Sequence, residues 1–162
     1  MNASIDSLIG RMAEAERRLA EHAAEPVPSG LTDPDELTSE RWEAGQVWAH
    51  VAEFPAYWLG QIQRVIAQPT HGAVPFGRVK TDVGRLEAIE RERHTDPAAL
   101  LERVRSSLSE ITDAMRSWSP ETWRLVGAHP TLGEMTVERM IDHFIVSHLE
   151  EHADQLDGLR PA

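Results

Sequence analysis

Two histidines near the end of the sequence have the spacing of a metal-chelating pair. His148 and His152 lie four residues apart in a segment with helical periodicity. Side chains at this spacing share one face of a helix, with Cβ atoms about 5–6 Å apart, so both imidazoles can bind one ion. In the predicted core phase they follow Ile141 and Ile145 and stand where leucines are expected. Such buried imidazoles need polar partners, because an unsatisfied polar group costs about 1–3 kcal/mol.

A third histidine can complete the site. His50 lies beside Val47, Val51 and Phe54 on the apolar side of another predicted helix. Three inward histidines suit one divalent ion such as Zn²⁺ or Ni²⁺, and three protein ligands with one open position are typical of a catalytic metal. One alternative stays open at this point: the three histidines are core residues that form hydrogen bonds with each other or with carbonyl groups.

Two carboxylates are candidates for a catalytic acid or base. Glu151 lies one helical step from the predicted ligand face, and Glu53 lies one turn after His50. The alternative for Glu151 is an exposed acidic residue on a helix that carries several others, and the same two interpretations apply to Glu53. No residue is assigned to an organic cofactor.

The remaining histidines are assigned no part in the site. His143 is about 140° around an α-helix from His148 and is interpreted as a surface or supporting residue. His129 is expected as a solvated residue in the loop before the last helix, with a position at the mouth of the pocket as the alternative. The other three lie in charged or turn-rich stretches: His22, His71 and His94. The tryptophans are interpreted either as pocket lining or as core: Trp42, Trp48, Trp58, Trp118 and Trp123.

Four segments with helical periodicity must position these residues. The predicted helices cover about 5–22, 38–66, 97–118 and 137–159, with a short charged helix over 83–93. Pro55 predicts a kink in the second helix, which is expected to start near Thr38 or Ser39. No strand or hairpin is expected, and 123–133 is predicted as a loop. The fold class is therefore all-α, a four-helix bundle with a long crossover connection, as one domain over 1–162.

The amino-acid composition excludes several classes of binding partner and site. The formal net charge is −11, with 27 acidic and 16 basic residues, so phosphate backbones and anionic lipids are repelled and neither nucleic acid nor membrane is expected as a partner. No cysteine occurs, which excludes a thiolate ligand or nucleophile from the chain itself. The sequence shows no apolar run of membrane-spanning length and no signal-like N-terminus, so a cytoplasmic protein acting on a small molecule is expected.

Two stretches resemble the DinB-like superfamily of metalloenzymes, which includes the N-terminal domain of mycothiol-dependent maleylpyruvate isomerases. They are residues 42–54 (WEAGQVWAHVAEF) and residues 133–137 (GEMTV) leading to 148–156 (HLEEHADQL). The resemblance implies an up-down-down-up four-helix bundle, often a homodimer. It also implies one divalent metal, commonly nickel or zinc, held by side chains that match His50, His148 and His152.

The resemblance also implies a reaction class. Characterised relatives are metal-dependent transferases and isomerases that use a low-molecular-weight thiol, such as mycothiol or bacillithiol, as cosubstrate. The lack of cysteine agrees with a thiol supplied from outside. Two alternatives stay open: a hydrolase that uses a metal-bound hydroxide, with Glu151 or Glu53 as base, and a non-catalytic ligand-binding bundle.

Overall fold

Four long helices form the framework of the molecule. The computed structural model describes residues 3–68 and 72–159, so His71 lies outside the described residues. The helices are α1 (Ala3–Ala24), α2 (Ala44–Ala67), the short α3 (Val83–Glu92), α4 (Pro97–Ser117), and a last helix in which a π-helical segment (Asp142–Val146) joins α5 (Val137–Ile141) to α6 (Ser147–Gly158). None of the described helices has the length and apolar character needed to cross a membrane.

The helix directions follow from contacts between side chains. The last helix runs parallel to α1 and antiparallel to α2, whereas α4 runs antiparallel to α1. This is the expected up-down-down-up four-helix bundle. Arg11 contacts Glu150 and Arg18 contacts Asp157 between α1 and the last helix, and His50 contacts His152 and Trp58 contacts Phe144 between α2 and the last helix. Glu16 contacts Arg105 between α1 and α4, where Ile5 and Met115 also line one surface pocket.

Helix α2 begins later than its sequence predicts, at Ala44 rather than near Thr38 or Ser39. Ser39 has a φ of 59°, in the left-handed region, which an α-helix cannot accommodate. The start of the helix is fixed instead by Gln46, whose Oε1 accepts a hydrogen bond from the backbone N–H of Glu43 at 3.1 Å. The helix continues through Pro55 to Ala67.

A small sheet lies where only loops were expected, so that part of the prediction is wrong. Strands β1 (Val74–Pro75), β2 (Val126–His129) and β3 (Gly133–Thr136) form a sheet in this order, with β1 parallel and β3 antiparallel to β2. These strands have two to four residues, too few to show an alternating pattern. Gly127 allows β2 to approach the core, because a Cβ there would lie 2.7 Å from side-chain atoms of both Phe76 and Met140.

A π-helical segment interrupts the last helix just before the two histidines. The N–H of Ser147 donates to the carbonyl of Asp142, five residues earlier, so this turn holds one more residue than an α-helical turn. The most buried residues of α6 are Leu149, Ala153 and Leu156; the predicted core phase is confirmed at His152, which is 6% exposed, while His148 is half-buried at its edge. The two histidines lie on the flank that faces α2.

Candidate metal centre

The structure brings His50, His148 and His152 together between α2 and α6. One ring nitrogen from each lies within 4.8 Å of the others. His50 is 2% exposed and His152 is 6% exposed, while His148 is half-buried. The Nε2 atoms of His50 and His148 are 3.3 Å apart. His50 on α2 and the pair on the antiparallel α6, at least 98 positions later in the sequence, therefore share one small space.

Hydrogen bonds on the outer side of two rings determine where their protons lie. Nδ1 of His152 donates to Oε1 of Gln155 at 2.7 Å. The backbone carbonyl of Phe144 favours a proton on His148, and because Nε2 of this ring faces His50, we assign that proton to the outer Nδ1. A neutral imidazole carries one proton, so Nε2 of each ring has a free lone pair directed inward. Nε2 of His152 is buried and has no hydrogen-bond partner among the described residues.

A carboxylate faces the outer nitrogen of His50. Nδ1 of His50 is 3.5 Å from Oε2 of Glu53, too far and too poorly aligned for a hydrogen bond, and it has no other partner in the described part of the chain. Glu53 is 19% exposed and pairs with Arg78 at 2.6 Å. A carboxylate behind a histidine ring is the usual support of a metal-binding imidazole.

The three nitrogens fit one metal ion. At metal–nitrogen distances of about 2.0–2.1 Å, tetrahedral ligand atoms lie about 3.3–3.4 Å apart. The separation of the His50 and His148 nitrogens matches this edge. Without an ion, a proton on Nε2 of His50 would donate to Nε2 of His148 at this distance, whereas Nε2 of His152 has no such donor among the described residues. Nitrogen ligands of this kind suit Zn²⁺, Ni²⁺ and similar divalent ions.

The electrostatic environment keeps all three imidazoles neutral. Burial, helped by the neighbouring imidazoles, lowers the pKa of His50 and His148 well below the ordinary value, and burial lowers the pKa of His152 to about 4. The positive charge of Arg85 acts in the same direction on all three. At neutral pH no proton therefore competes with a metal for these nitrogens.

Aromatic rings enclose the group. Trp42 stacks on His152 with ring centres 6.1 Å apart and presents its ring edge-on to His50 at 5.3 Å, and Phe54 stacks on His148 at 4.2 Å. Thr32 holds Trp42 in place: its Oγ1 accepts a hydrogen bond from the backbone N–H of Trp42 at 3.0 Å. Of the tryptophans named from the sequence, Trp42 lines the site, and the others lie elsewhere: Trp48, Trp58 and Trp123 in the core and Trp118 packed against it.

A cavity of about 110 Å³ leads from the histidines to the surface. Glu151 is exposed and lines this cavity, whereas Glu53 is not among the lining residues. Of the two carboxylates named from the sequence, Glu151 therefore faces the cavity and Glu53 supports His50 from behind. The lining beyond the histidines is polar and charged: Thr32, Asp33, Asp35, Glu40, Lys80, Arg85, Glu151 and Gln155, with Trp42 as the aromatic member.

The sequence as a whole matches one known family. A model of the DinB superfamily matches residues 11–156. The chain belongs to the DinB superfamily. No curated protein matches its sequence.

Three solved structures show the same fold as this DinB-superfamily chain, all at low sequence identity. YfiT from Bacillus subtilis, described as a probable metal-dependent hydrolase with an unusual four-helix bundle topology, is 16% identical with a TM-score of 0.73, over 97% of this chain and 86% of YfiT. The mycothiol-dependent maleylpyruvate isomerase is 13% identical with a TM-score of 0.70; the match covers all of this chain and 65% of the isomerase. The colibactin self-resistance protein ClbS, solved in complex with double-stranded DNA, is 14% identical with a TM-score of 0.66, over 94% of this chain and 93% of ClbS.

The other histidines of this DinB-superfamily protein stay outside the group. His129 was expected in a solvated loop, and this is wrong: strand β2 buries it, its Nε2 bonds to the carbonyl of Arg78 at 3.1 Å, and its Nδ1 accepts the N–H groups of Thr131 and Leu132. His143 is half-buried against Phe144. The remaining two described histidines are His22, which pairs with Asp157, and His94, which is exposed.

Sequence reasoning missed two cations of the cavity, Lys80 and Arg85. They lie in the connection between α2 and α4, one in a turn and one on the short α3. The crossing of this connection over the site depends on long-range pairing: β1 pairs with β2, and Gly77 donates its N–H to Gln61 at 2.8 Å. No local spacing in the sequence signals such an approach.

Proposed function

We propose that this protein is a metal-dependent enzyme whose single divalent ion is bound by His50, His148 and His152. The observation that carries the proposal is the buried, unpartnered Nε2 of His152, which shares a space with ring nitrogens of the two other histidines. A core of hydrogen-bonded histidines would pair these nitrogens with donors. The described residues supply none for His152 Nε2.

The reaction that we propose is transfer of a low-molecular-weight thiol, of the mycothiol or bacillithiol type, to an electrophilic small molecule. A bound divalent ion would lower the pKa of a coordinated thiol. The chain would orient the reactants: Trp42 and Phe54 wall the histidines off from bulk water, and Glu151 at the cavity lining would accept the proton of the thiol. The chain has no cysteine, so the sulfur nucleophile would come from outside. The shared fold with a mycothiol-dependent isomerase supports this choice.

A metal-dependent hydrolase is the second candidate, and the description of YfiT favours it. The same three histidines would then serve a water nucleophile, with Glu151 accepting its proton. Both candidates take a small molecule through the cavity between Trp42 and Arg85. The net charge of −11 argues against nucleic acid as the substrate.

Metal analysis of the purified protein tests the proposal. We expect about one equivalent of tightly bound divalent metal in the wild type, and less than about a tenth of an equivalent in His148→Ala and His50→Ala. The exposed His94→Ala is the matched control and should bind like the wild type. A wild type that binds less than about a tenth of an equivalent of zinc or nickel would exclude the metal-dependent enzyme.

Turnover separates the two candidates. The metal-loaded protein is incubated with an electrophile, with and without mycothiol or bacillithiol, and loss of free thiol is followed. Thiol-dependent consumption of the electrophile that is absent in His148→Ala supports the transferase. Ester or amide cleavage without thiol, also absent in His148→Ala, supports the hydrolase. If neither reaction occurs and chelation leaves the melting temperature unchanged, the result supports a non-catalytic ligand-binding bundle.

A further inference from the structure

One buried arginine in the cavity has no counter-ion in the chain. Arg85 is 8% exposed, and no carboxylate of the described residues lies within ion-pair distance of it. Arg78, in the same connection and equally sheltered, pairs with Glu53 at 2.6 Å. Burying a guanidinium is unfavourable unless an anion compensates it. Arg78 has its anion within the protein, and Arg85 does not.

The guanidinium of Arg85 is fixed in position although it lacks a counter-ion. Its Nη1 donates to the backbone carbonyl of Lys80 at 2.7 Å. Its Cζ lies 5.1 Å from the centre of the Trp42 ring, and Trp42 in turn stacks on His152. Nε and Nη2 make no hydrogen bond with the described residues, so donors remain available. Arg85 therefore lines the same cavity as the three histidines, and its Nε and Nη2 remain free to donate hydrogen bonds to a ligand.

The nearest acids of the lining are engaged elsewhere. Asp35 pairs with Lys80 and accepts the backbone N–H groups of Leu37 and Thr38 at 2.9 Å. Glu40 accepts the hydroxyl of Thr38 at 3.1 Å. Asp35 and Glu40 act on Arg85 only at longer range, while burial lowers the pKa of its guanidinium. The guanidinium of Arg85 thus has no direct ion pair among the described residues, although four carboxylates line the same cavity at longer range.

We infer that Arg85 binds an oxyanionic group of the substrate, a carboxylate or a phosphate, and holds the reacting end of that molecule toward the three histidines. The planar fork of an arginine matches either group with two parallel hydrogen bonds. The placement of the reacting end rests on the proposed function. The binding of the oxyanion does not, since it needs only the cavity and Arg85.

The probes are sodium acetate and sodium phosphate, added at constant ionic strength to the metal-loaded protein and to protein freed of metal by chelation and dialysis. Binding is followed as the rise in melting temperature with probe concentration, which gives an apparent Kd. The variants are Arg85→Gln, Arg85→Lys and, as a matched control on the same helix, Arg91→Gln, whose side chain is 68% exposed. Acetamide is the neutral control for acetate.

We expect Arg85→Gln to weaken binding of the preferred oxyanion by about tenfold or more, and Arg85→Lys to weaken it less. Tighter binding of acetate indicates a carboxylate on the substrate, and tighter binding of phosphate indicates a phosphate. Without a probe, Arg85→Gln should melt at or above the wild-type temperature, because it removes an uncompensated buried charge. If Arg85 had only a structural role, Arg85→Gln without a probe would melt below the wild-type temperature.

Two results separate failure of this inference from failure of the proposed function. If wild type, Arg85→Gln and Arg91→Gln respond equally to both probes, the oxyanion site is excluded even where metal binds normally. If no metal binds but the oxyanion response still depends on Arg85, the inference stands and the metal-dependent enzyme does not.

Discussion

Gln155 accepts a hydrogen bond from Nδ1 of His152 at 2.7 Å, one helical turn after the histidine on α6. This bond places the ring proton on the outer nitrogen and leaves the lone pair of Nε2 inside the group. It also fixes the ring plane against Trp42, which stacks on the other side of the site at 6.1 Å. In the proposed metal site, Gln155 would therefore orient His152 as a ligand without contacting the ion itself.

Replacing this amide should weaken metal binding. We expect Gln155→Ala to lower the affinity for the divalent ion by about 10- to 100-fold, because the ring loses the acceptor that fixes its tautomer and orientation. Gln155→Glu keeps an acceptor at this position and should stay close to the wild type. The measurement is competition with a chromogenic chelator at fixed pH. Equal affinities for Gln155→Ala and the wild type would contradict the assigned role.

The two carboxylates near the site should behave differently when each loses its charge. Glu53 supports His50 from behind and pairs with Arg78, so Glu53→Gln should lower metal affinity, by up to about tenfold. Glu151 lines the cavity, so Glu151→Gln should retain the metal and lower turnover by about 100-fold or more. Metal content and turnover measured on the same preparations test both. Unchanged turnover in Glu151→Gln would remove Glu151 as the proton acceptor.

His129 should make the stability of the protein depend on pH. Burial lowers its pKa below the ordinary value of about 6.5, and protonation of Nδ1 would break the bonds from Thr131 and Leu132. The unfolded chain then binds more protons than the folded one below about pH 6.5. Stability from this group is complete above that pH and is lost as the pH falls toward the folded-state pKa.

The measurement compares urea unfolding of metal-free wild type and His129→Gln between pH 7.5 and 4.5. The His129→Gln variant lacks this titrating group. Its free energy of unfolding should therefore fall less steeply with decreasing pH than that of the wild type, by up to about 1.4 kcal/mol per pH unit. The other histidines are the same in both proteins and cancel in the difference. Parallel curves would show that His129 does not contribute.

The three histidines could be predicted from the sequence because helical spacing and apolar neighbours are local signals. His50 stands among buried residues of α2, and His148 and His152 are four apart on α6. The predicted core phase of α6 is confirmed at His152 and Leu156, but it missed Leu149 and Ala153, which are fully buried. The π-helical turn before Ser147 was also missed, because such a turn depends on packing rather than on a residue pattern.

The residues that surround the histidines could not be predicted in the same way. Arg85 reaches the site because the connection between α2 and α4 folds back over α2, and Trp42 reaches it because Thr32 bonds to its backbone. The sheet that anchors the connection pairs Val74 with Gly127, 53 positions later. Contacts over that distance are tertiary, and no periodicity in the sequence records them.

Two glycines of α2 provide a matched test of how this helix is seated. At Gly45 a Cβ would lie 2.0 Å from the backbone oxygen of Arg93, so Gly45→Ala must push the start of α2 away from the end of α3. At Gly60 a Cβ would meet no atom within 4 Å. We expect Gly45→Ala to lower the free energy of unfolding by about 1–3 kcal/mol through steric overlap.

Gly60→Ala should instead raise the free energy of unfolding by about 0.5–1 kcal/mol, because alanine loses less backbone entropy in a helix. Urea unfolding of the two variants beside the wild type gives both values. The start of α2 leads directly to His50, so Gly45→Ala should also lower metal affinity, whereas Gly60→Ala should leave it unchanged. Stabilisation by Gly45→Ala would mean that α2 does not contact the backbone of Arg93 as described, and it would remove this support from the position of His50.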